Sequence, residues 1–375
     1  MSKSNSVVYA GHGSSHSWTW LADLFEAGGI FSVRFLDSHD FILSVANHSA
    51  GIAIISGGDG FAIAESLKGA GFANLRRFVH EGGTFVGICA GAYLPLPSSI
   101  RPFSEFNIST TKIENIKCDP KPPTCNPREM IPYGSCSIVH PVRGPVEITD
   151  GLTGSIIAPL YGGPVFKEPG QDLVMMRYSS FTPKTEFQVD RTEAESVMIH
   201  KPSAIKVIHG KGSMLLLGPH LEHPGFPEAN GMFLELIGFE RPSIPFGPTA
   251  AAADRSPEPA LRGSISDLKV AILGLENRSF TVGHKQWDGS RLLELASAIE
   301  ERAWSLDLAK SNQIQSDLDG VRSLLVGMET GSDLDVDRTT SLLVGAARTC
   351  VDNHFRVLSE RTRNAFGGMR QEPDE

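Results

Sequence analysis

The sequence predicts an α/β fold with a parallel central sheet over residues 6 to 240, followed by a smaller, mostly helical C-terminal part. Three observations carry this expectation. Short apolar runs at 6–13, 31–37, 51–60 and 84–88 alternate with segments of helical periodicity, the pattern of right-handed βαβ units. Three of these runs pass directly into glycine-rich turns, as strands do when they enter the crevice at the carboxyl edge of a sheet. After an Ala/Pro-rich stretch, the last third carries long apolar stripes at helical spacing.

Taken in order, SVVYAGHG (6–13) reads as a first strand and turn, followed by a helix from Trp18 to Ala27. FSVRFLD (31–37) alternates as a second strand, and GIAIISGGDG (51–60) is a third, strongly apolar one ending in Gly57-Gly58-Asp59-Gly60. An AIAESLKGAG helix and an amphipathic stretch with Leu75, Phe78 and Val79 on one face lead to a glycine stop at Gly82-Gly83. The strand Thr84 to Ile88 then runs into Gly87-Ile88-Cys89-Ala90-Gly91-Ala92. Glycines two before and two after Cys89 permit a tight strand-to-helix turn that projects the central side chain from the sheet. Cys89 is therefore a candidate nucleophile, favoured as thiolate by the amides and dipole of the following helix. With glycine at 38 of 375 residues, such flanking also arises by chance, and a buried free cysteine is an ordinary core residue.

The partners give the motif its weight. The Gly57-Gly58 turn ends the preceding strand in sequence, so the Gly58 and Ala90 amides can meet at one oxyanion, with Gly57 and Asp59 beside them; Asp59 is equally a cap for the next helix. SIIAPLYGGPVF (155–166) reads as a strand entering Tyr161-Gly162-Gly163-Pro164, a second loop at the pocket or a plain turn. AIKVIHGKGSMLLLGPHLEHPGF (204–226) is a hairpin whose second strand ends at His220-Leu221-Glu222. An imidazole and a carboxylate two residues apart just beyond a strand can act as base and orienting acid, although His220 alone reads equally as a loop histidine and His223 lies next door.

Composition narrows the function classes. A net charge of −9 without a basic run argues against nucleic acid, no apolar run approaches a membrane span, and the N-terminus lacks a signal peptide, so a cytoplasmic protein is expected. In a reducing compartment the sequons at Asn47, Asn107 and Asn277 stay unmodified. Neither a dinucleotide fingerprint nor a Walker A loop occurs, and no cofactor is expected. Cys118, Cys125 and Cys136, with His140, lack the paired spacing of a zinc knuckle and lie in a proline-rich insertion between Pro95 and Pro145; no metal is expected.

With these elements in hand, the chain resembles the class I glutamine-amidotransferase-like superfamily, most closely the biotin-protein ligase N-terminal domain family. VVYAGHGS, ISGGDG, FVHEGGTFVGICAGAY, YGGPVF and GKGSMLLLGPHLEHP carry the resemblance, in that order, over about residues 6 to 240. It implies a flavodoxin-like three-layer sandwich, with Cys89 as nucleophile, His220 as base, Glu222 as acid, and Gly58 and Ala90 as oxyanion amides. Where glutamine-hydrolysing members carry Gln four residues after the nucleophile this chain has Tyr93, and it reads His220-Leu221-Glu222 where they read His-Pro-Glu. Glutamine is accordingly expected to be a poor substrate, and the absence of a Gly-Arg-Gly-Arg-like loop argues against biotin ligation. The expected activity is hydrolysis of an amide or γ-glutamyl-type bond of a small molecule through a thioester; the alternative is a silent binding or regulatory module of the same fold.

For the rest, residues 6–244 form the main domain, 245–264 a linker, 265–366 a mostly helical region and 367–375 a disordered tail. LKVAILGL (268–275) reads as one more strand. Leu292, Leu295, Ile299, Ala303 and Leu306 share one helical face, and Leu343, Ala347, Val351, Phe355 and Leu358 another; these faces serve packing, a homodimer or a partner enzyme.

Overall fold

The computed structural model describes residues 5–116, 141–152, 154–240, 256–275, 278–329 and 336–368. Strands β1 (Ser6–Tyr9), β2 (Val33–Leu36), β3 (Ile52–Ile55) and β4 (Thr84–Ile88) alternate with helices α1 (Trp18–Ala27), α2 (Ser38–Ala46) and α3 (Gly60–Glu81), as the periodicity predicts. The one-turn helix α4 (Ala90–Tyr93) follows β4 directly. The two helical segments read before the Cys89 strand are one α3, broken at Lys68, whose φ of 56° leaves the helical region.

The middle of the chain is β5 (Val142–Thr149), β6 (Ser155–Leu160), β7 (Leu173–Phe181), β8 (Glu186–Phe187), α5 (Arg191–Met198), the hairpin β9 (Pro202–His209) and β10 (Gly212–Leu217), then α6 (Pro227–Leu236). Five strands pair in parallel in the spatial order β2-β1-β3-β4-β10, a doubly wound arrangement whose order reverses at β1 and β3. Beyond β10 the same sheet continues antiparallel through β9, β7, β5 and β6, with β8 paired to β5. The parallel sheet expected from the sequence is thus one half of a larger mixed sheet.

Strand periodicity sorts the core into two layers. Val8, Ile54, Val86 and Leu215 face one side and pack with α1, α6 and the C-terminal helices, whereas Val7, Ala53, Phe85 and Met214 face the other and pack with α2 and α3. All these strand residues are essentially inaccessible, as strands covered on both faces must be.

The C-terminal part comprises α7 (Pro259–Leu273), the hairpin β11 (Ser279–Val282) and β12 (Lys285–Asp288), then α8 (Gly289–Arg302), α9 (Leu308–Glu329) and α10 (Val336–Gly368). Residues 259–264, expected in the linker, already belong to α7: Pro259 stands in its first turn and the Glu258 carboxylate accepts from Ala260 N at 2.8 Å, a capped start. LKVAILGL is helical through Leu273, not a strand. Leu261, Ile265, Leu268 and Ile272 recur at helical spacing and are buried, while Val270 and Leu273 face outward.

Both apolar stripes of the C-terminal helices are used within the chain. Leu292, Leu295, Ile299, Ala303, Leu343, Ala347, Val351 and Phe355 join the core cluster on the α1 side. Phe355 packs on Phe35 of β2, with ring centroids 5.0 Å apart, and Asp352 accepts from the Phe35 amide at 2.9 Å, covering the edge strand. Arg302, with its side chain 3% exposed, binds Asp23 and Glu26 of α1 at 2.5 and 3.0 Å, and His354 reaches the same Glu26 at 3.0 Å. Among the described residues no helix is long and apolar enough to cross a membrane.

Candidate active site

Because β1, β3, β4 and β10 are parallel, the loops after them gather at one edge of the sheet, and each brings part of a single site. Cys89 sits between β4 and α4 with φ 52° and ψ −109°, a conformation costly for a side chain that bears a Cβ. The flanking glycines make this turn possible. A Cβ on Gly87 would lie 2.5 Å from Gly91 O, and one on Gly91 would lie 2.0 Å from Ile55 O. The backbone is held from the other side by Cys89 N–H donating to Leu217 O at 2.9 Å, so the end of β10 fixes the cysteine it faces.

The loop after β10 carries His220 and Glu222, both buried. Three bonds fix its path: His220 N–H donates to Pro159 O at 2.8 Å, and Asn230 Nδ2 donates to Leu221 O and His223 O at 2.8 and 3.0 Å. His220 Nδ1 lies 2.8 Å from Glu222 Oε1, and the imidazole is hydrogen-bonded to the Cys89 side chain. Ser56 Oγ donates to the same Glu222 Oε1 at 2.8 Å and meets Ser17 Oγ at 3.0 Å. Trp20 meets the His220 ring edge to face at 5.4 Å, and a Cβ on Gly57 would lie 2.9 Å from His220 Cε1. The imidazole is thereby held on every side.

Electrostatics follow from this enclosure. Burial opposes charge on His220, but Glu222 and Cys89 outweigh it and hold the imidazole up to about 10. Burial likewise pushes the Cys89 thiol up; the His220 charge and hydrogen bond, helped by Lys285, overcome it and bring the thiol below its ordinary value. The two groups thus favour each other's charged forms, the imidazole held up and the thiol held down. The histidine supplies this effect rather than the dipole expected from the following helix, because α4 has only four residues. Cys350, equally buried but without such a partner, is pushed up to about 12.

The remaining residues singled out from the sequence divide into three groups. Among the described residues no acceptor takes the Gly58 or Ala90 N–H: the neighbouring bridge uses Ser15 N–H to Gly57 O and Asp59 N–H to Gly13 O and leaves the Gly58 amide over. Tyr93, Tyr161 and Gly162 line the cavities at Cys89, and the Tyr93 hydroxyl donates to Gly162 O at 3.1 Å. Gly163 and Asp59 have structural partners, and Asp59 also lines the larger cavity beside Cys89. A Cβ on Gly163 would lie 1.8 Å from Gly218 O, so this glycine lets the Tyr161 loop close on the strand end before His220. Asp59 Oδ1 caps α3 through Phe61 N–H and Ala62 N–H at 3.0 and 3.3 Å, and Oδ2 accepts from His284 N–H at 2.7 Å and faces His284 Nδ1 at 3.0 Å.

The contact with His284 exposes what sequence reasoning missed. The β11–β12 hairpin lies across the mouth of the site, with Lys285 beside Cys89 and the buried Trp287 against His16, ring centroids 6.4 Å apart. Arg291 and Glu294 of α8 line the same wall, Glu294 accepting from Trp20 Nε1 at 2.5 Å. Two cavities meet at Cys89. One of about 460 Å³ is bounded by Phe61, Tyr93, Leu96, Ile100 and Phe103; the other, of about 300 Å³, by Tyr161, His220, Arg143, Lys285 and Arg291. No group of three His, Cys, Asp or Glu side chains arranged for a metal occurs among the described residues, and Cys118, Cys125, Cys136 and His140 lie outside them.

Fold and site together define an α/β protein with a cysteine on a strained strand-to-helix turn and a histidine–glutamate pair after a neighbouring parallel strand. Residues 4–109, which include the cysteine turn, match the family model of the biotin-protein ligase N-terminal domain. Similar solved structures include a glutamine amidotransferase, with 17% identity over 62% of this chain and 99% of that one and a TM-score of 0.39. A GMP synthase subunit from Thermoplasma acidophilum matches with 12% identity over 64% and 94% of the two chains and a TM-score of 0.37. A β-galactosidase from Bacillus circulans sp. alkalophilus matches with 14% identity over 63% and 31%, at a TM-score of 0.34. No curated protein sequence is matched.

Proposed function

We propose that this chain is an amide hydrolase that works through a Cys89 thioester. The observation that supports it most directly is the hydrogen-bonded series Cys89–His220–Glu222, with Cys89 on a turn of positive φ. The Cys89 sulfur attacks the amide carbon, and the carbonyl oxygen becomes an oxyanion facing the Gly58 and Ala90 amides. His220, whose Nδ1 is held by Glu222, gives its other ring proton to the nitrogen; the C–N bond breaks with its electron pair going to that nitrogen, and the amine leaves. Water then adds to the thioester, His220 takes its proton, and the C–S bond breaks to return the thiolate and a carboxylic acid.

The test begins with the thiol. Iodoacetamide should alkylate Cys89 at a rate that stays near its plateau well below the free-thiol pKa of about 8.5. After incubation with a cell extract or an amide electrophile, intact-mass measurement should find an adduct that disappears in Cys89→Ala. A normally titrating Cys89 with no adduct would instead favour a binding module of the same fold.

The side chain four residues after the nucleophile bears on substrate choice. Tyr93 places an aromatic ring on the apolar wall and spends its hydroxyl on Gly162 O, so it offers glutamine no amide to donate and accept. Buried polar groups left unpaired cost about 1–3 kcal/mol each. Ammonia release from free glutamine is therefore expected to be slow for the unmodified protein and to rise in Tyr93→Gln. Brisk glutamine hydrolysis without the substitution would remove Tyr93 as the specificity element.

A further inference from the structure

The C-terminal hairpin and helix supply one of the two cavities with its charge. The smaller cavity faces three cations, Arg143 from β5, Lys285 from β12 and Arg291 from α8. Lys285 and Arg291 are mostly enclosed, and burial, helped by the neighbouring cations, lowers each pKa against the opposing pull of Cys89 and Asp59 on Lys285 and of Asp288 and Glu294 on Arg291. The Arg291 guanidinium makes no hydrogen bond or ion pair with any described residue. The nearby carboxylates are already engaged: Glu294 accepts from Trp20, Asp59 from His284 and the α3 amides, and Asp288 caps α8 through the Arg291 N–H and Ser290. Glu222 is committed to His220 and Ser56. A largely enclosed guanidinium that feels Asp288 and Glu294 only at a distance and has no carboxylate in hydrogen-bond contact leaves room for an anion to bind it directly.

The placement of the reacting groups orients such a ligand. Ala90 lies on the larger cavity, whose wall is mostly apolar with Lys112 and Lys167 at its border, and His220 on the smaller one with Arg143 and Arg291; Gly58, Cys89 and Lys285 border both. The carbonyl oxygen belongs with the Gly58 and Ala90 amides, and the leaving nitrogen belongs with His220, the group that protonates it. We infer that the substrate is an amide of an apolar acyl group with an amine that carries a carboxylate, the acyl arm lying against Phe61, Leu96 and Phe103 and the carboxylate against Arg291 and Lys285. This rests on the proposed role of Cys89 and adds the class of molecule. The step is the one already written: the acyl–nitrogen bond breaks, the acyl group passes to sulfur and then to water, and the carboxylate-bearing amine leaves with the His220 proton.

The test needs no turnover. Alkylation of Cys89 by iodoacetate and by iodoacetamide, followed at that peptide by mass spectrometry, gives a rate ratio from which the thiolate fraction cancels. One charge-assisted contact predicts a ratio about tenfold higher in the folded protein than in the same chain in urea. It should fall in Arg291→Met and Lys285→Met and return in Lys285→Arg, a variant that separates lost charge from lost folding. In addition, N-phenylacetylglycine should protect Cys89 from iodoacetamide better than the uncharged N-phenylacetylglycinamide at equal concentration. A folded-state ratio equal to or below that in urea, or protection by both compounds alike or by neither, overturns the carboxylate subsite while leaving the nucleophile intact. Resistance of folded Cys89 to both reagents overturns the nucleophile, and the subsite with it.

Discussion

Replacing His220 with alanine is expected to abolish acyl transfer and, in the same protein, to drive the Cys89 thiol above its ordinary pKa. The sign follows from the two opposed effects on the sulfur: burial raises its pKa, while the imidazolium and its hydrogen bond lower it and prevail. Without the ring, burial and the Glu222 charge raise the thiol against Lys285 alone, and Cys89 approaches the condition of Cys350, pushed up to about 12 by burial. Loss of a nucleophile's base in a comparable triad lowers turnover by on the order of 10⁶-fold. The thiol pKa is read from the pH dependence of iodoacetamide alkylation, which needs no substrate. A His220→Ala protein whose Cys89 still titrates low would show that another group holds the thiolate. Glu222→Gln is the milder companion: the ring keeps its orientation and Ser56 its acceptor, while the charge that raises the imidazole is gone.

Arg302→Ala is expected to have the largest effect on stability. The guanidinium is almost completely buried and holds Asp23, Glu26 and Glu301 together, with His354 on the far side of Glu26. Burial alone would lower its pKa, yet the surrounding carboxylates raise it instead. Removing one partner from a buried ion pair leaves uncompensated charge and costs about 3–5 kcal/mol. Asp23 is partly exposed and can turn to water, which puts the expectation at the lower end, about 3 kcal/mol, read as a fall in the denaturant midpoint. Since α1 carries Trp20 and α8 carries Arg291 and Glu294, loosening this joint should also weaken the cavity wall, so that Cys89 reactivity falls before global unfolding in the variant. A midpoint shift of a few tenths of a kcal/mol would mean that the cluster is solvated and contributes little.

The parallel half of the fold was legible because its strands are short, because β1, β3, β4 and β10 are apolar and end at glycine, and because β2 alternates. Gly87 and Gly91 can carry no Cβ against Gly91 O and Ile55 O, so the spacing around Cys89 reports the turn itself. His220 and Glu222 were legible as a pair by their position after a strand. Ser56, Ser17 and Asn230, which hold that pair, carry no local signal: their roles exist only once strands far apart in sequence lie side by side. The antiparallel strands β5 and β7 were obscured by alternate half-exposed positions and by Gly144-Pro145 inside β5. LKVAILGL misled because an unbroken apolar run looks the same as a buried strand or as a helix with one or two outward apolar residues, here Val270 and Leu273. Lys285 and Arg291 were out of reach, since a hairpin and helix with ordinary surface composition enter the site through contacts that exist only in the folded chain: Asp59–His284, Phe61–His284, His16–Trp287 and Trp20–Glu294.

The distances along the chain between Cys89, His220 and Lys285 have a consequence for its synthesis. A nascent polypeptide that has emerged only as far as α4 contains the cysteine but neither the strand that locks its backbone nor the imidazole that lowers its pKa. Emergence of the loop after β10 adds both, and the wall of cations arrives only when residues 285 to 291 leave the ribosome. A chain that has emerged only as far as α4 therefore lacks the group that lowers the thiol's pKa, and Cys89 is enclosed with that group only once the loop after β10 has folded against it.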